Sequence, residues 1–339
     1  MQGLVQSWSR RGLVACALWP LSLLYAGVTA LRRLLYRAGI MSSRRMPVPV
    51  VIIGNLIAGG AGKTPATIET VALLREQGWT PGVVSRGYGR ADDTLRAVTA
   101  ASSAAEAGDE PLLIHLRTRA PTWVGRDRPA AAAALLAAHP EVDILVCDDG
   151  LQHLALARDL SVLVFDERGA GNGWLLPAGP LREPLPRTLP ENSLVLYNAP
   201  EPSTRLPGIL SQRRLAGAVP LAGWWAGETA SLLALKALAG QPVLAAAGLA
   251  RPERFFAMLR DQGLTITPLP LPDHHGFEAL PWPAGTSDVL VTEKDAVKLP
   301  PARLAGMATR VWVVALDFAP DPAYAAALAR RLQPLRHAR

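Results

Sequence analysis

A Gly-rich segment between an apolar run and a helix-forming stretch restricts the possible fold of this chain more than any other feature. The segment, GNLIAGGAGKTP at 54–65, overlaps the apolar run VPVVIIGN at 48–55 and precedes ATIETVALLREQG at 66–78. A strand, a Gly-rich turn ending in Lys-Thr and then a helix form a phosphate-binding loop. Its backbone N–H groups surround phosphate oxygens, with Lys63 on the β- and γ-phosphates and the Thr64 hydroxyl on Mg²⁺. The predicted nucleotide-binding residues are Gly59, Gly60, Ala61, Gly62, Lys63, Thr64 and Pro65.

The first half of this loop departs from the usual pattern, because Ile57 occupies a position that is normally Gly. A Gly-rich turn that binds no ligand is therefore the alternative. The lysine content argues against it: the net charge of +7 is carried almost wholly by Arg, and Lys occurs only at positions 63, 236, 294 and 298. Arg does not replace Lys as a compact point charge beside a phosphate. A lysine kept at position 63 favours the phosphate site.

Short apolar runs alternate with Ala- and Leu-rich stretches through much of the chain. Strands are predicted at 48–55, 81–87, 142–149 and 161–166, and helices at 66–78 and 131–140. This alternation predicts an α/β fold with a doubly wound, mostly parallel sheet like that of P-loop NTPases. A Pro-rich run at 177–190 and the segment 201–208 mark a linker, and 242–263, 288–297 and 310–318 predict a smaller α/β unit beyond it.

Three parts are therefore expected along the chain. Residues 1–40 would form a membrane-associated helix, 45–200 the phosphate-loop domain, and 205–339 a smaller C-terminal α/β domain that contributes to the active site.

The N-terminal part contains an apolar segment, residues 13–30, without a charged residue. As a helix with a rise of about 1.5 Å per residue it would be roughly 27 Å long, just short of a hydrocarbon core of about 30 Å. Flanking arginines at positions 10, 11, 32 and 33 suit lipid headgroups. A cleaved signal peptide, a spanning helix and a helix in one leaflet are the alternatives. The excess of Arg after the segment favours an anchor with a cytoplasmic domain following it.

Overall charge and cysteine content narrow the classes of protein. A pI near 9.9 suits nucleic acid, an anionic membrane surface or a phosphorylated substrate. Arg residues are scattered and no basic patch is interleaved with aromatic residues, which argues against nucleic acid. The two cysteines, Cys16 and Cys147, exclude a disulfide framework or a zinc cluster and favour a reducing, cytoplasmic location.

Two acidic motifs follow the phosphate loop. The apolar run VDILVCDD ends in Asp148 and Asp149, where an acid that contacts Mg²⁺ is expected in a P-loop protein, although an Asp turn is also common there. The motif AGDEP places Asp109 and Glu110 just before the helical stretch PLLIHLRT. Helix capping would explain these two residues without catalysis, but a kinase needs a carboxylate to accept the proton of the acceptor hydroxyl.

An ordered set of motifs between positions 48 and 299 resembles the tetraacyldisaccharide 4'-kinase family. The motifs are GNLIAGGAGKTP, VVSRGYGR, AGDEP, DDGLQH, GNGWLLPAGPLREP, LPDHHGF and VTEKDAVKL. The resemblance implies transfer of the γ-phosphate of ATP, with Mg²⁺, to the 4'-hydroxyl of an acylated disaccharide phosphate. That reaction yields lipid IVA in lipid A synthesis, at the cytoplasmic face of the bacterial inner membrane. A substrate with four acyl chains stays in the bilayer, at about 0.8 kcal/mol per buried CH₂, so the enzyme must come to it.

The resemblance also implies roles for individual residues. Asp109 is implied as the general base, with His274 rather than His275 as its partner and Lys63 as a further catalytic residue. The implied metal residues are Thr64, Glu110, Asp148 and Asp149, and the implied substrate residues are Ser85, Tyr88, Arg128, Gln152, His153, Arg182 and Glu183. A membrane-associated regulatory P-loop ATPase is the main alternative; it would leave Asp109 and His274 without a role. A nucleic-acid-binding NTPase is the weaker one.

Overall fold

The computed structural model of the protein describes residues 7–336. Its helices are α1 Leu13–Arg37, α2 Lys63–Glu76, α3 Ala104–Ala107, α4 Asp109–Thr118, α5 Arg128–Ala138, α6 Leu221–Ala226, α7 Leu232–Lys236, α8 Pro252–Asp261, α9 Glu293–Ala296 and α10 Ala323–Arg336, with a 3₁₀ turn at Pro301–Leu304. Its strands are β1 Val50–Gly54, β2 Pro81–Ser85, β3 Arg96–Val98, β4 Thr122–Val124, β5 Ile144–Asp148, β6 Leu160–Asp166, β7 Ser193–Asn198, β8 Ile209–Pro220, β9 Val243–Ala247, β10 Ile266–Pro270, β11 Asp288–Thr292 and β12 Arg310–Pro320.

All twelve strands form a single sheet in the order β10-β9-β11-β12-β8-β7-β6-β1-β5-β2-β4-β3. The pairs β8–β12 and β3–β4 are antiparallel and the other neighbours are parallel. Strand β1 is fully buried between β5 and β6 because helices cover both faces of a parallel sheet. The predicted doubly wound, mostly parallel α/β fold is confirmed, and the segment after β1 lies at the centre of one sheet edge.

Most predicted elements agree with the structure to within a few residues, and two differences bear on the site. Helix α2 begins at Lys63 instead of residue 66, directly after the left-handed Gly62. Asp109 and Glu110 lie inside the first turn of α4 and not ahead of it, so the non-catalytic alternative that they cap the helix does not hold: Gly108 occupies the N-cap position with φ 88°. Acidic side chains in a first turn still face the positive end of the helix dipole.

The sheet continues across the predicted linker, because β7 lies between the two Pro-rich segments and pairs with both β6 and β8. The chain also returns to its first half at the end: Tyr324, Leu328 and Leu332 of α10 pack into the core formed with Val71 and Leu74 of α2. The division into units at 45–200 and 205–339 stays a prediction. Helix α10, from the second of these ranges, packs on α2, the helix that follows the phosphate loop.

Helix α1 is the one helix in residues 7–336 that is long and apolar enough to cross a membrane by length and composition, and only 11% of its most apolar window is buried. It contacts the segment 171–184, which carries the motif GNGWLLPAGPLREP. Ser22 Oγ donates to the Leu175 carbonyl at 2.9 Å and accepts from the Ala178 N–H at 3.0 Å. Tyr25 Oη donates to the carbonyl of Arg182 at 3.0 Å. The helix is therefore attached to the globular part along one side.

The packing of α10 predicts a large effect of Leu328→Ala. Leu328 is fully buried, and truncating a buried Leu costs about 2–5 kcal/mol through lost burial and a cavity. Urea denaturation should show this loss in the free energy of unfolding. Leu233→Ala is the control, because Leu233 is 79% exposed and should change stability by less than about 0.5 kcal/mol. Equal stability of the two variants would contradict the packing of α10 on α2.

Candidate active site

The phosphate loop leaves β1 at Gly54 and enters α2 at Lys63, with two left-handed glycines shaping the turn. Gly59 has φ 90° and Gly62 has φ 97°, which glycine adopts without a Cβ penalty. Fully buried Asn55 donates from Nδ2 to the Gly59 carbonyl at 3.0 Å and accepts from Lys63 Nζ at 3.4 Å. Lys63 and Thr64 thus lie buried at the start of α2, where the first N–H groups of the helix are available to an anion. Pro65 is half-buried in the same turn.

A strand-like contact explains why Ile57 replaces the usual Gly. Ile57 is fully buried and forms an antiparallel bridge with Leu181. The Ala58 N–H donates to the Pro180 carbonyl at 2.8 Å, and the Arg182 N–H donates to the Leu56 carbonyl at 2.7 Å. A β-branched residue suits such an extended, packed position. The departure therefore joins the loop to the segment 171–184 and leaves the glycines of its second half in place.

Asp148, at the end of β5, lies beside the phosphate loop and is fully buried. Thr67 Oγ1 donates to Asp148 Oδ1 at 2.9 Å, and Ser85 Oγ lies 3.5 Å from Oδ2. Burial, together with the negative charges of Glu110 and Asp149, raises the pKa of Asp148 to about 7, against the opposing effect of Lys63. Buried carboxylates that repel one another are stabilised when a cation lies between them.

Asp149 links this acidic group to several residues predicted to bind substrate. Its Oδ1 lies 3.6 Å from Lys63 Nζ and 3.4 Å from Arg182 Nη1. Arg182 Nη1 also donates to Gln152 Oε1 at 3.4 Å. The carbonyl of Asp149 accepts from Arg128 Nη2 at 2.9 Å. The structure thus brings together one predicted metal residue, the loop lysine and three predicted substrate residues.

Asp109 and His274 meet although 165 positions separate them in the sequence. His274 lies in the connection between β10 and β11 with φ 61°, and its Nδ1 is 3.2 Å from Asp109 Oδ2. His275 instead accepts from the Phe277 N–H at 3.1 Å, with its ring against that of Phe277. Tyr88 is 74% exposed and its ring centroid lies 6.3 Å from that of His274. The sequence-based choice of His274 over His275 matches the contact observed.

Arg128 and His153 each have a buried nitrogen atom, Nε of Arg128 and Nε2 of His153, without a hydrogen-bond partner among the residues that the structure describes. Burial, followed by the positive charges of Arg128 and Arg32, lowers the pKa of His153 to about 4. Arg32 belongs to α1, so this apolar helix contributes to the group of positive charges. Such an arrangement is suited to an anionic ligand.

Two predicted substrate residues have other partners in the structure. Ser85 belongs with the acidic group, since it faces Asp148. Glu183 Oε2 lies 3.5 Å from Arg33 Nη1 and therefore faces α1. Their predicted contacts with the sugar stay predictions.

Two residues that the sequence analysis did not identify donate hydrogen bonds to carbonyls of the phosphate loop. Asn198, at the end of β7, donates from Nδ2 to the Ala61 carbonyl at 2.9 Å. Arg168, two residues after β6, donates to the Gly60 carbonyl at 2.8 Å and is paired with Asp166 at 2.9 Å. A polar residue at or just after the end of a buried parallel strand is the sequence signal that could have identified these two residues, because such strand ends meet at one edge of a sheet.

The residues around Asp148 fit a magnesium ion. They offer only oxygen donors, the hydroxyl of Thr64 and the carboxylates of Glu110, Asp148 and Asp149, which is the donor type that Mg²⁺ prefers. Within residues 7–336, no three His, Cys, Asp or Glu side chains are close enough to hold a metal by themselves.

A phosphate loop after β1, a buried aspartate at the end of the adjacent β5, and a carboxylate that is paired with histidine and directly precedes Glu110 of the acidic group define a P-loop phosphotransferase. The family model described as Tetraacyldisaccharide-1-P 4'-kinase matches residues 14–333. The chain therefore belongs to the tetraacyldisaccharide 4'-kinase family, and the resemblance seen in its motifs is confirmed.

Individual relatives agree with this assignment. The tetraacyldisaccharide 4'-kinase of Methylibium petroleiphilum is 60% identical over 335 residues, covering 98% of this chain and 94% of the relative. That of Leptothrix cholodnii is 57% identical over 315 residues, covering 92% and 90%. The crystal structure of LpxK from Aquifex aeolicus in complex with ATP has a TM-score of 0.78 at 26% identity, covering 94% of this chain and 100% of that one. The chain is thus similar to kinases along nearly its whole length.

Gly62→Ala should disturb the phosphate loop. A Cβ at this position would overlap Asn198 Nδ2 and lie 2.6 Å from Arg213 Nη2, at a φ of 97°. The left-handed conformation alone costs a residue with a Cβ about 1–2 kcal/mol, and urea denaturation should show a loss of at least that size. Gly60→Ala is the matched control, since its Cβ would meet no atom within 4 Å. If both variants lost the same stability, neither the left-handed backbone of Gly62 nor the close approach of Asn198 would be the cause.

Proposed function

We propose that the chain transfers the γ-phosphate of ATP to the 4'-hydroxyl of an acylated disaccharide 1-phosphate and so produces lipid IVA for lipid A. The 3.2 Å contact between Asp109 and His274, beside the acidic group at the phosphate loop, carries this proposal. It supplies a base for an alcohol next to a nucleotide site. A regulatory ATPase needs the loop and Asp148 but has no use for such a pair, and family membership also favours the kinase.

The nucleotide is held mainly by the loop backbone and the start of α2. N–H groups from Gly59 to Thr64 bind the phosphate oxygens, and Lys63 neutralises charge that builds up on the transferred phosphoryl group. Mg²⁺, held by Thr64 and the acidic group, supplies further neutralisation of phosphate charge when bound. Asn198 and Arg168 keep the loop carbonyls turned away from the phosphates.

Proton transfer is assigned to Asp109. Its carboxylate accepts the proton of the 4'-hydroxyl, the hydroxyl oxygen forms a bond to the γ-phosphorus, and the bond from that phosphorus to the β,γ-bridging oxygen breaks to release ADP. The Nδ1–H of His274 donates to Asp109 Oδ2 and orients the carboxylate. Both side chains then act on the acceptor and not on the nucleotide.

Asp109→Asn should therefore separate chemistry from nucleotide binding. The amide has the same shape but cannot take the proton, so kcat for lipid phosphorylation should fall by about 10²–10⁴-fold. The affinity for ATP, measured by calorimetry, should stay unchanged, because the loop is intact. Near-normal turnover would remove Asp109 from its role as base.

The phosphate and sugar groups of the lipid are assigned to residues around Asp149. Arg128, His153 and Arg32 are suited to the 1-phosphate, since unpaired buried nitrogens lie there among positive charges. Arg182 and Gln152, next to Asp149, are suited to sugar oxygens. Tyr88, exposed beside His274, is placed to contact the acceptor sugar.

Attachment to the cytoplasmic face of the bacterial inner membrane is assigned to α1. Large apolar side chains are exposed around most of the helix, including Leu13, Leu24, Leu31 and Leu34. Such a surface is stable only when lipid covers it. Docking of α1 on the segment 171–184 then places the cleft next to the bilayer that holds the substrate.

Charged residues on α1 should weaken membrane binding and the use of membrane substrate together. Leu24→Lys and Leu31→Lys replace side chains that are 68% and 56% exposed, each at a cost of about 2.5–3.5 kcal/mol in the centre of a membrane helix. Co-sedimentation with anionic vesicles should fall strongly, and phosphorylation of bilayer substrate should fall more than that of detergent-dispersed substrate. Leu233→Lys, on exposed α7, is the control. Unchanged sedimentation would exclude α1 as the anchor.

The reaction is tested directly by incubating the purified protein with γ-labelled ATP and the disaccharide lipid. Label on the 4'-oxygen is the expected result. ATP hydrolysis that proceeds equally without lipid, and leaves the lipid unlabelled, would favour the regulatory ATPase.

A further inference from the structure

The segment TEKDAVK, residues 292–298, is part of a motif of the family resemblance, and the mechanism above gives it no role. It also holds two of the four lysines of the chain. Lys63 is the third, in the phosphate loop, and only Lys236 lies exposed and away from the cleft on α7. In a chain that otherwise uses Arg for positive charge, lysines at 294 and 298 point to places where a compact ammonium is needed.

Lys298 is buried against the proposed base. Its side chain is 5% exposed, and its Nζ lies 3.5 Å from Asp109 Oδ2. Nζ also donates to the carbonyl of His275 at 2.9 Å and lies 3.8 Å from Asp295 Oδ1. A guanidinium is larger than the ammonium that fits between these three oxygens.

Both partners of the Asp109 carboxylate act on the same oxygen atom. His274 Nδ1 and Lys298 Nζ both contact Oδ2, at 3.2 Å and 3.5 Å. Among residues 7–336, these are the only side chains in hydrogen-bond or ion-pair contact with this carboxylate. Oδ1 therefore remains available to accept the hydroxyl proton, and the two contacts at Oδ2 fix the orientation of the carboxylate.

The rest of the segment makes Lys298 a rigid support. Asp295 is fully buried and accepts from the Gly248 N–H at 3.1 Å and from Thr292 Oγ1 at 2.6 Å. Glu293 Oε1 accepts from Arg117 Nη1 at 2.5 Å. Arg117 lies on α4, the helix that begins with Asp109, about 12 Å further along at a rise of about 1.5 Å per residue. The segment thus holds α4 at two points, near the base and two turns away from it.

We infer that Lys298 is a positioning residue of the kinase, whose ammonium group holds Asp109 Oδ2 so that Oδ1 faces the acceptor hydroxyl. The inference rests on the proposed function, because it assigns Lys298 a part in proton acceptance by Asp109. Misplacement of a reacting group by about 1 Å can cost on the order of 10²-fold in rate. Lys298→Met, which keeps the length and loses the charge, should therefore lower kcat for lipid phosphorylation by about 10²-fold and leave ATP affinity unchanged.

The test compares Lys298→Met, Asp109→Asn and the double variant, with Lys236→Met as the matched control that keeps wild-type kcat. In the Asp109→Asn background the proton acceptor is already lost, so Lys298→Met should have little further effect on the residual rate. A purely structural lysine would lower both rates by the same factor. Multiplicative effects, or a wild-type kcat in Lys298→Met, would overturn the inference. A wild-type protein that labels no lipid would overturn the proposed function and this inference with it.

A second variant covers the case in which Lys298→Met does not fold. Lys298→Cys, alkylated with bromoethylamine, regains an ammonium at nearly the original distance, and kcat should recover most of the loss. Wild-type protein is treated in parallel, because Cys16 is exposed and is alkylated as well. An alkylated, folded variant that stays as slow as the untreated Lys298→Cys would also overturn the inference.

Discussion

Concentrated negative charge at one edge of the sheet is the constraint on which the rest of this structure depends. Asp148 is fully buried beside Glu110 and Asp149, and burial with these neighbours raises its pKa to about 7. A triphosphate brought to the same place adds more negative charge. The loop amides, Lys63 and a divalent cation are what can compensate it. Lys63, which lies between Asn55 and Asp149, therefore compensates negative charge in the nucleotide-free protein as well as in the nucleotide complex.

The same edge explains why the candidate active site contains residues from both halves of the chain. Parallel strands place their carboxyl ends together, so β1, β5, β6 and β7 supply the loop, the acids and the polar residues that support the loop. The acceptor side is built differently. Asp109 lies at the start of a helix, while His274 and Lys298 come from the connections around β11. The proposed nucleotide site thus depends on the sheet edge, whereas the proposed proton transfer depends on contacts between distant segments.

How much was predictable from the sequence follows from that difference. The mostly parallel sheet and the strand–loop–helix at β1 have local patterns, an apolar run followed by Gly, Lys and Thr, and the predicted fold class is confirmed. Nucleotide binding by the loop residues stays a prediction. Helix boundaries were less certain, since Gly108 and not Asp109 occupies the N-cap of α4. The contacts of Lys298 with Asp109 and of Glu293 with Arg117 join residues more than 170 positions apart, and no local pattern specifies them. The sheet that runs through the Pro-rich region was missed because proline suggests a break, although β7 lies between the two runs.

The segment 171–184 joins α1, the proposed membrane anchor, to the phosphate loop. It accepts hydrogen bonds from Ser22 and Tyr25 of α1 at Leu175 and Arg182, and it forms the bridge between Leu181 and Ile57 of the phosphate loop. Only a few residues separate the two attachments. With α1 as the proposed membrane anchor, the depth of α1 in the bilayer sets the distance between the lipid headgroups and the phosphate loop. Under this proposal, bilayer thickness is expected to affect that distance through a single short segment.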